Sequence, residues 1–207
     1  MIDIEQLNDI RRNRGFLTVE DTSALSSARV VVLDPFSTLV SQGVTLDPGV
    51  TLWPGVVLQT SDGGTIAIGY EAQLYPGARL VASRGRIKVS ARAEIGEEGG
   101  FTIKAEQQDA VIEIGEGARL IGGGAMTLSN SIGAGAQILG PIRLQNCVLE
   151  GGGTHLEPDP DRRGAVLKGS GLARQIFVPT GFVIQAFGLF SEAPVRKQSY
   201  FHPKPGN

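Results

Sequence analysis

The sequence contains few of the residues from which disulfides and metal centres are built. Among its 207 residues are one cysteine, Cys147, and two histidines, His155 and His202. One cysteine excludes an intramolecular disulfide and a multi-cysteine metal cluster, which is typical of a protein from a reducing compartment. The sequence also lacks a basic-then-apolar leader and any apolar run of about 18 residues. We therefore expect a cytoplasmic protein with no membrane partner.

A strong charge of either sign is absent as well. The 19 lysines and arginines are scattered and nearly balanced by 21 acidic residues, which gives a net charge of −2. This distribution offers no basic patch for nucleic acid. Glycine, by contrast, is abundant, because the 29 glycines are roughly twice the ordinary share of about 7%. Together with 41% hydrophobic residues, this composition predicts one folded domain rich in tight turns.

A hydrophobic residue returns at every sixth position over much of the chain. The runs are Val40, Leu46, Leu52 and Leu58, then Ile68, Leu74 and Leu80, and finally Ile114, Leu120, Met126, Ile132, Ile138 and Leu144. The pattern weakens between Gly85 and Ala110. A period of six matches neither an α-helix nor a single amphipathic strand. It predicts an all-β prism with three faces of short strands, stacked as parallel ladders about 4.8 Å apart.

Turn residues fall where such a prism needs corners. Asp47-Pro48-Gly49, Trp53-Pro54-Gly55 and Tyr75-Pro76-Gly77 occupy equivalent points of the repeat, and proline followed by glycine suits a tight turn. We expect Trp53 and Tyr75 to face outward, where they contact a neighbouring subunit or stack on a ligand, and we favour the contact. The runs Gly122-Gly123-Gly124 and Gly151-Gly152-Gly153 lack the lysine of a phosphate-binding loop, so we interpret them as close-approach turns.

Three hexads resemble a known repeat. They are Ile68-Gly69-Tyr70-Glu71-Ala72-Gln73, Ile114-Gly115-Glu116-Gly117-Ala118-Arg119 and Ile132-Gly133-Ala134-Gly135-Ala136-Gln137. Together with the turns, they resemble the hexapeptide repeat of the left-handed β-helix acyltransferase superfamily over about residues 29–148. The greatest similarity is to the acetyltransferase half of the bifunctional sugar-1-phosphate nucleotidyltransferase/acetyltransferases, and the nucleotidyltransferase half is missing here.

The resemblance implies a fold, an assembly and an activity. It implies a left-handed parallel β-helix, a hand that the six-residue period itself does not carry. Flat prism faces and the habit of the superfamily predict a homotrimer with ligand sites between neighbouring prisms. The implied activity is acyl transfer from acyl-CoA, such as acetyl-CoA, to an amino sugar or nucleotide-sugar. The alternative is a non-catalytic hexapeptide-repeat protein that binds a sugar nucleotide or acts as an assembly scaffold.

We divide the chain into three segments. Residues 1–28 are predicted to form a short helix and an arm, residues 29–190 the β-helix, and residues 191–207 an extended C-terminal tail. The helix has Asp3 as its N-cap, and Ile4, Leu7 and Ile10 form one face that should pack against the body or a neighbouring subunit. Within the β-helix, a charged loop is expected at about residues 151–169. The apolar segment Ile176 to Phe190 is expected to form a final coil or a lid that closes the open end of the prism.

The charged loop contains our candidate active-site residues. Acyl transfer needs a base to take the acceptor's proton, and a histidine is the usual choice because its pKa lies near neutrality. His155 is the only histidine that the sequence places beside the prism, so it is the candidate base. The candidate residues around it are Glu157 and Asp159, to orient the imidazole, and Arg162, Arg163 and Lys168, to hold phosphate groups of a cofactor or nucleotide-sugar. The competing interpretation is a solvated loop whose charges pair with each other.

A metal-dependent reaction is not expected. The γ-class carbonic anhydrases share the prism, but their zinc site needs three histidine ligands. Only two histidines are present, and both lie outside the hexads. Cys147 precedes Val148, which we expect to point inward, and we interpret the thiol as buried packing and not as a nucleophile.

Overall fold

A computed structural model of the chain describes residues 3–202 and residue 204. Two helices, α1 (Ile4–Asn13) and α2 (Val19–Ala24), precede the strands. The strands are β1 (Val31–Val32), β2 (Leu39–Val40), β3 (Val44–Leu46), β4 (Thr51–Leu52), β5 (Val57–Thr60), β6 (Thr65–Ile68), β7 (Gln73–Leu74), β8 (Ala78–Ala82), β9 (Arg86–Val89), β10 (Glu94–Glu97), β11 (Phe101–Ala105), β12 (Val111–Ile114), β13 (Arg119–Ile121), β14 (Ala125–Thr127), β15 (Asn130–Ile132), β16 (Gln137–Leu139), β17 (Ile142–Gln145), β18 (Val148–Leu149), β19 (Val166–Arg174), β20 (Phe177–Val178), β21 (Phe182–Leu189) and β22 (Val195–Lys197). None of the described helices is long and apolar enough to cross a membrane.

The strands stack into three parallel ladders, which we call faces 1, 2 and 3. Face 1 contains β1, β4, β7, β10, β13, β16 and the first part of β19. Face 2 contains β2, β5, β8, β11, β14, β17 and the second part of β19. Face 3 contains β3, β6, β9, β12, β15, β18 and β20. The predicted all-β parallel β-helix is therefore confirmed.

The hexad residues fill the interior of the prism, as the six-residue period predicts. Those at most 1% exposed are Val40, Leu52, Leu58, Ile68, Leu74, Leu80, Ile114, Leu120, Met126, Ile132, Ile138 and Leu144. Leu46 is only half-buried. Our prediction for Val148 is wrong: it is 41% exposed, because β18 turns Leu149 inward instead. Cys147 is buried as expected, and burial raises the pKa of its thiol.

The coils of the prism differ in length because some corners carry an inserted loop. Gln137 pairs with Arg119, 18 residues earlier, whereas Val166 pairs with Gln137, 29 residues earlier. The additional residues form the charged loop between β18 and β19. This loop ends earlier than the sequence suggests, because Val166 to Gly169 already belong to β19. The glycine runs do lie at close approaches, since a side chain at Gly124 would collide with the Phe101 ring.

The N-terminal helix packs through a different face from the one we predicted. Ile4 and Ile10 are 40% and 59% exposed, whereas Arg11 is buried. The Arg11 guanidinium donates hydrogen bonds to the carbonyl oxygens of Pro35, Phe36 and Thr38, at 2.9, 2.8 and 3.1 Å. These carbonyls belong to the first coil, where no preceding strand can satisfy them. The helix therefore closes the open end of the prism with a polar side chain.

The C-terminal segment also differs from the expected extended tail. β21 runs parallel to β19 over two faces, and β22 folds back antiparallel onto β21. Phe190 is fully buried at this end of the core, in line with the predicted closure of the prism. A 3₁₀ turn at Gln198–Tyr200 then brings the chain back over face 1. Residues 203 and 205–207 of the predicted tail lie outside the described residues.

Candidate functional site

A cavity of about 260 Å³ lies on face 1 near the C-terminal end of the prism. Its floor is built from the outer side of β16, β19 and β21, which contribute Gln137, Leu139, Val166, Lys168 and Val183. One wall is the charged loop, with His155 and Arg163, and the other is the C-terminal segment, with Gln198, Phe201 and His202. Both histidines of the chain therefore line one cavity.

The charged loop is held in a defined conformation by its own backbone. Asp159 accepts a hydrogen bond from the backbone N–H of Asp161 and so caps the 3₁₀ turn Pro160–Arg162. Arg163 donates from Nε to the carbonyl oxygen of Glu157 at 2.7 Å. The loop ends are joined by hydrogen bonds from Gly153 N–H to the Arg162 carbonyl and from Gly164 N–H to the Gly153 carbonyl, at 2.8 and 2.9 Å. These contacts fix the two sides of the loop against each other.

The C-terminal segment is anchored on the same loop. The buried amide of Gln198 donates to the carbonyl oxygen of Gly164 at 2.7 Å. The backbone N–H and the hydroxyl of Ser199 both donate to the Asp161 carboxylate at 2.9 Å. Burial acts to raise the pKa of Asp161, but the hydrogen bonds from Ser199 and Lys204 outweigh it and hold that pKa below its ordinary value. The segment is thus tied down before and after His202.

The surroundings of His155 favour the neutral form of its imidazole. Its Nδ1 is buried and has no hydrogen-bond partner among the described residues. Burial is the largest cause that lowers the pKa of His155, and the positive charges of Arg119 and Arg163 lower it further, against an opposing effect of Glu94. A lowered pKa keeps the imidazole neutral at physiological pH, the form that can accept a proton.

Face 1 continues below the cavity as a charged and aromatic stripe. Arg119 forms ion pairs with Glu94 and Glu97, at 2.8 and 3.3 Å. Trp53 and Tyr75 stack with ring centroids 5.5 Å apart, so these outward corner residues contact each other within one chain. Burial raises the pKa of Tyr75, and the charges of Glu94 and Glu97 raise it further. The charges of Glu94 and Arg119 therefore act on the pKa of both Tyr75 and His155.

The structure brings together half of the predicted site residues. His155, Arg163 and Lys168 line the cavity, whereas Glu157, Asp159 and Arg162 do not. Neither carboxylate is hydrogen-bonded to His155: that of Glu157 accepts from the Asp159 backbone N–H, and that of Asp159 accepts from Asp161 and Lys204. In this structure, both carboxylates shape the loop and do not orient the imidazole.

Sequence reasoning missed three polar residues of the cavity. Gln137 ends one of the three hexads, and its place on an outer strand face above Arg119 was available from the repeat. Gln198 and His202 carry no such signal, because they reach the cavity only after the C-terminal segment folds back over face 1. His202 was accordingly assigned to the tail.

A second, larger groove lies on face 2. It has a volume of about 1040 Å³, and its basic residues are Lys104, Arg143 and Arg174. The floor is formed by small residues such as Ala125 and Gly171. No carboxylate is among the residues that line it. The groove presents Arg143 and Arg174 to an anion, whereas Lys104 is paired with Glu106 at 3.3 Å.

No metal centre is evident in the part of the chain that the structure describes. Within residues 3–202 and residue 204, no group of three or more histidine, cysteine or acidic side chains is placed to hold a metal ion. The two histidines of the cavity are accompanied by basic side chains instead. The predicted absence of a catalytic metal stays a prediction.

Comparisons with known proteins do not establish a family for this chain. No protein-family model matches the chain, and no curated protein matches it. Among solved structures, it is similar to PerB from Caulobacter crescentus, which was crystallised in complex with CoA and GDP-perosamine. The two sequences are 16% identical, the match covers 90% of this chain and 73% of PerB, and the TM-score is 0.21. At that TM-score the two chains do not superpose as wholes, and the likeness carries no functional conclusion.

Proposed function

We propose that this protein transfers an acyl group from acyl-CoA, such as acetyl-CoA, to an amine or hydroxyl group of an amino sugar or nucleotide-sugar. The observation that carries the proposal is His155, an imidazole with a lowered pKa that faces a small, structured cavity on the prism. The resemblance of the hexads to the acyltransferase superfamily supports the reaction type. A single histidine suffices for the proton transfer that this reaction needs.

The proposed chemistry requires one base and one leaving group. The acceptor nitrogen or oxygen attacks the thioester carbonyl carbon, and its proton passes to His155. The carbon–sulfur bond then breaks, and the protonated imidazole returns the proton to the departing thiolate, so that free CoA thiol is the second product. The positive charges of Arg163 and Lys168 also favour the neutral form of an acceptor amine, because nearby cations lower an amine's pKa.

The face 1 cavity and the face 2 groove suggest where the acceptor and the donor bind. The face 1 cavity, at about 260 Å³, is smaller than the roughly 300–1,000 Å³ of pockets that enclose drug-sized ligands. We therefore place one sugar unit and the acyl end of the donor there. The phosphates of the donor suit the groove on face 2, with Lys104, Arg143 and Arg174. Within one chain, a corner of the prism separates the face 1 cavity from the face 2 groove. The two sites meet only where face 1 of one subunit lies against face 2 of its neighbour.

We propose a cyclic homotrimer, the smallest closed ring in which unlike faces meet at every contact. Around a three-fold axis, face 1 of each subunit can lie against face 2 of the next subunit. This arrangement brings the face 1 cavity and the face 2 groove together. Light scattering at micromolar concentration should give about 65 kDa, three times the chain mass of 21.8 kDa. A stable 22 kDa monomer under the same conditions contradicts the shared site.

The pH dependence of turnover should follow the lowered pKa of His155. Because only the neutral imidazole accepts a proton, the acidic limb of kcat/KM is expected below the ordinary histidine pKa of about 6.5. Arg163→Met removes a charge that lowers this pKa, so the limb should move to higher pH. Arg163→Lys keeps the charge and should leave the limb in place. Arg162→Met, outside the cavity, is the matched control, and an equal shift in this variant contradicts the assignment.

One observation favours the non-catalytic alternative. No carboxylate orients the ring of His155 among the described residues, whereas catalytic imidazoles are usually held by a second hydrogen bond. The two functions are separated by calorimetry with acetyl-CoA and by a thiol-release assay over amino sugars and nucleotide-sugars. Acceptor-dependent thiol release supports the enzyme. Sugar-nucleotide binding without acetyl-CoA binding or thiol release supports the binding protein or scaffold.

A further inference from the structure

His202 lies opposite His155 in the cavity, although sequence reasoning gives it no role. The two histidines come from different walls, one from the charged loop and one from the C-terminal segment. His202 is exposed at the rim, where an entering ligand passes it. An imidazole offers at least one N–H donor in either protonation state. His202 can therefore bind an oxygen-rich group whether or not it carries a charge.

The position of His202 is determined by its anchored neighbours. Gln198 is 3% exposed and bonds to Gly164 on the loop wall, while Ser199 bonds twice to Asp161. The backbone N–H of His202 donates to the Gln198 carbonyl oxygen at 3.0 Å. These contacts fix the C-terminal segment in place as one wall of the cavity. The backbone of His202 is thus held at one side of the cavity, and its side chain lines that side.

The titratable side chains that line the cavity are all of basic residue types. Its titratable residues are His155, Arg163, Lys168 and His202, and no carboxylate is among the lining residues. Lys168 is exposed and forms no ion pair with the described residues, and Arg163 uses only Nε to hold the loop. Basic groups without carboxylate partners attract an anion and bind it through charge-assisted hydrogen bonds.

We propose that His202 and Lys168 bind a negatively charged group of the acceptor and so determine its class, which is a sugar that carries a phosphate or a carboxylate. The inference rests on the proposed acyl transfer and names the acceptor of that same site. The sugar's charged group lies against Lys168 and His202, and its amine or hydroxyl lies toward His155. His202 is a specificity-determining residue in this arrangement, and His155 alone is the base.

Nuclear magnetic resonance of the imidazole rings tests this directly, because the chain has only two histidines to assign. Glucosamine 6-phosphate is compared with glucosamine, and glucuronate with glucose, so that phosphate and carboxylate are tested separately. We expect at least one anionic probe to shift the signals of both rings along one saturation curve. It should bind about 10-fold or more tightly than its neutral counterpart. Equal binding of the charged and neutral probes contradicts the proposal.

Kinetics separate the roles of the two histidines. His202→Ala should raise KM for the anionic acceptor by about 10- to 100-fold with little change in kcat, and His202→Asn should restore part of the affinity. Lys168→Met should have a similar effect, whereas Lys88→Met, an outward lysine on face 3, should have none. Lys197→Ala, exposed on β22, is the control within the C-terminal segment. An unchanged KM in both His202→Ala and Lys168→Met overturns the proposal.

The outcomes distinguish this proposal from the acyl transfer on which it rests. If only the His155 signals shift and thiol is released, acyl transfer stands and the role of His202 is refuted. If neither ring shifts with any probe but thiol release continues, the acceptor binds elsewhere and the role of His202 is again refuted. If anionic probes shift both rings without thiol release, the cavity is a binding site for acidic sugars and the transferase is refuted.

Discussion

His155→Ala is expected to lower the acyl-transfer rate by about 10²- to 10⁴-fold, the usual contribution of a general base. The buried Nδ1 of this ring has no hydrogen-bond partner among the described residues, so its removal breaks no buried hydrogen bond. The free energy of unfolding should therefore change by no more than about 0.5 kcal/mol. Thiol release with a saturating acceptor, measured beside denaturant unfolding of the same preparation, checks both values.

The neighbouring Leu156→Ala variant is the matched control for this experiment. Leu156 is 76% exposed on the same loop and does not line the cavity. It should keep the wild-type rate, and both variants should keep the trimer mass and the binding of acetyl-CoA. Turnover by His155→Ala within threefold of the wild type would assign the proton transfer to another group.

Arg11→Leu should be the most destabilising single substitution in the N-terminal segment. Besides its bonds to the first coil, the guanidinium contacts the Leu17 carbonyl and the Thr22 hydroxyl, both at 3.4 Å. Burial lowers the pKa of Arg11, and the charges of Asp34 and Glu20 oppose that effect. Leucine fills part of the space but leaves buried carbonyls unpaired, at about 1–3 kcal/mol each. We expect a loss of roughly 3 kcal/mol or more in the free energy of unfolding.

Urea unfolding followed by fluorescence suits this test, because the single tryptophan, Trp53, lies in the second coil near the helix cap. Arg12→Leu is the control, since Arg12 is exposed and bonds only to Asp9 one turn away. That surface pair contributes little, at about 0–1 kcal/mol. Amide exchange should show the Arg11→Leu loss first in the first coil, as in other stacked-coil proteins. Equal free energies of unfolding for Arg11→Leu and Arg12→Leu would refute the role of Arg11 in closing the prism.

The fold was predictable because the repeat is a property of neighbouring residues. Each hexad forms one face of a coil and places its repeating aliphatic residue in the interior. Leu52, Leu74 and Leu120 could therefore be placed inside without any long-range information. Val148 was misplaced because the step from Leu144 to the next interior residue, Leu149, is five positions instead of six. A short insertion or deletion at a corner changes the step without changing the pattern on either side.

The N-terminal helices show a second limit. The partners of Arg11 are backbone carbonyls, which no side-chain pattern reveals. The sequence therefore predicts that the helix packs through its apolar face with Ile4 and Ile10, although both are exposed. The second helix was not predicted, although Thr18 and Asp21 form a capping box that marks its start. Only half of the candidate site was found, because His202 joins it through Ser199 and Asp161, a contact between distant parts of the chain.

A structure of the protein with acetyl-CoA and an amino-sugar nucleotide would show whether the acceptor reaches His155. We expect the sugar to occupy the face 1 cavity, with its acceptor atom within about 3.2 Å of an imidazole nitrogen of His155. The donor should extend from that point along the face 2 groove of the neighbouring subunit, past Arg143. A structure in which both ligands bind but neither reaches the cavity of His155 would contradict this expectation.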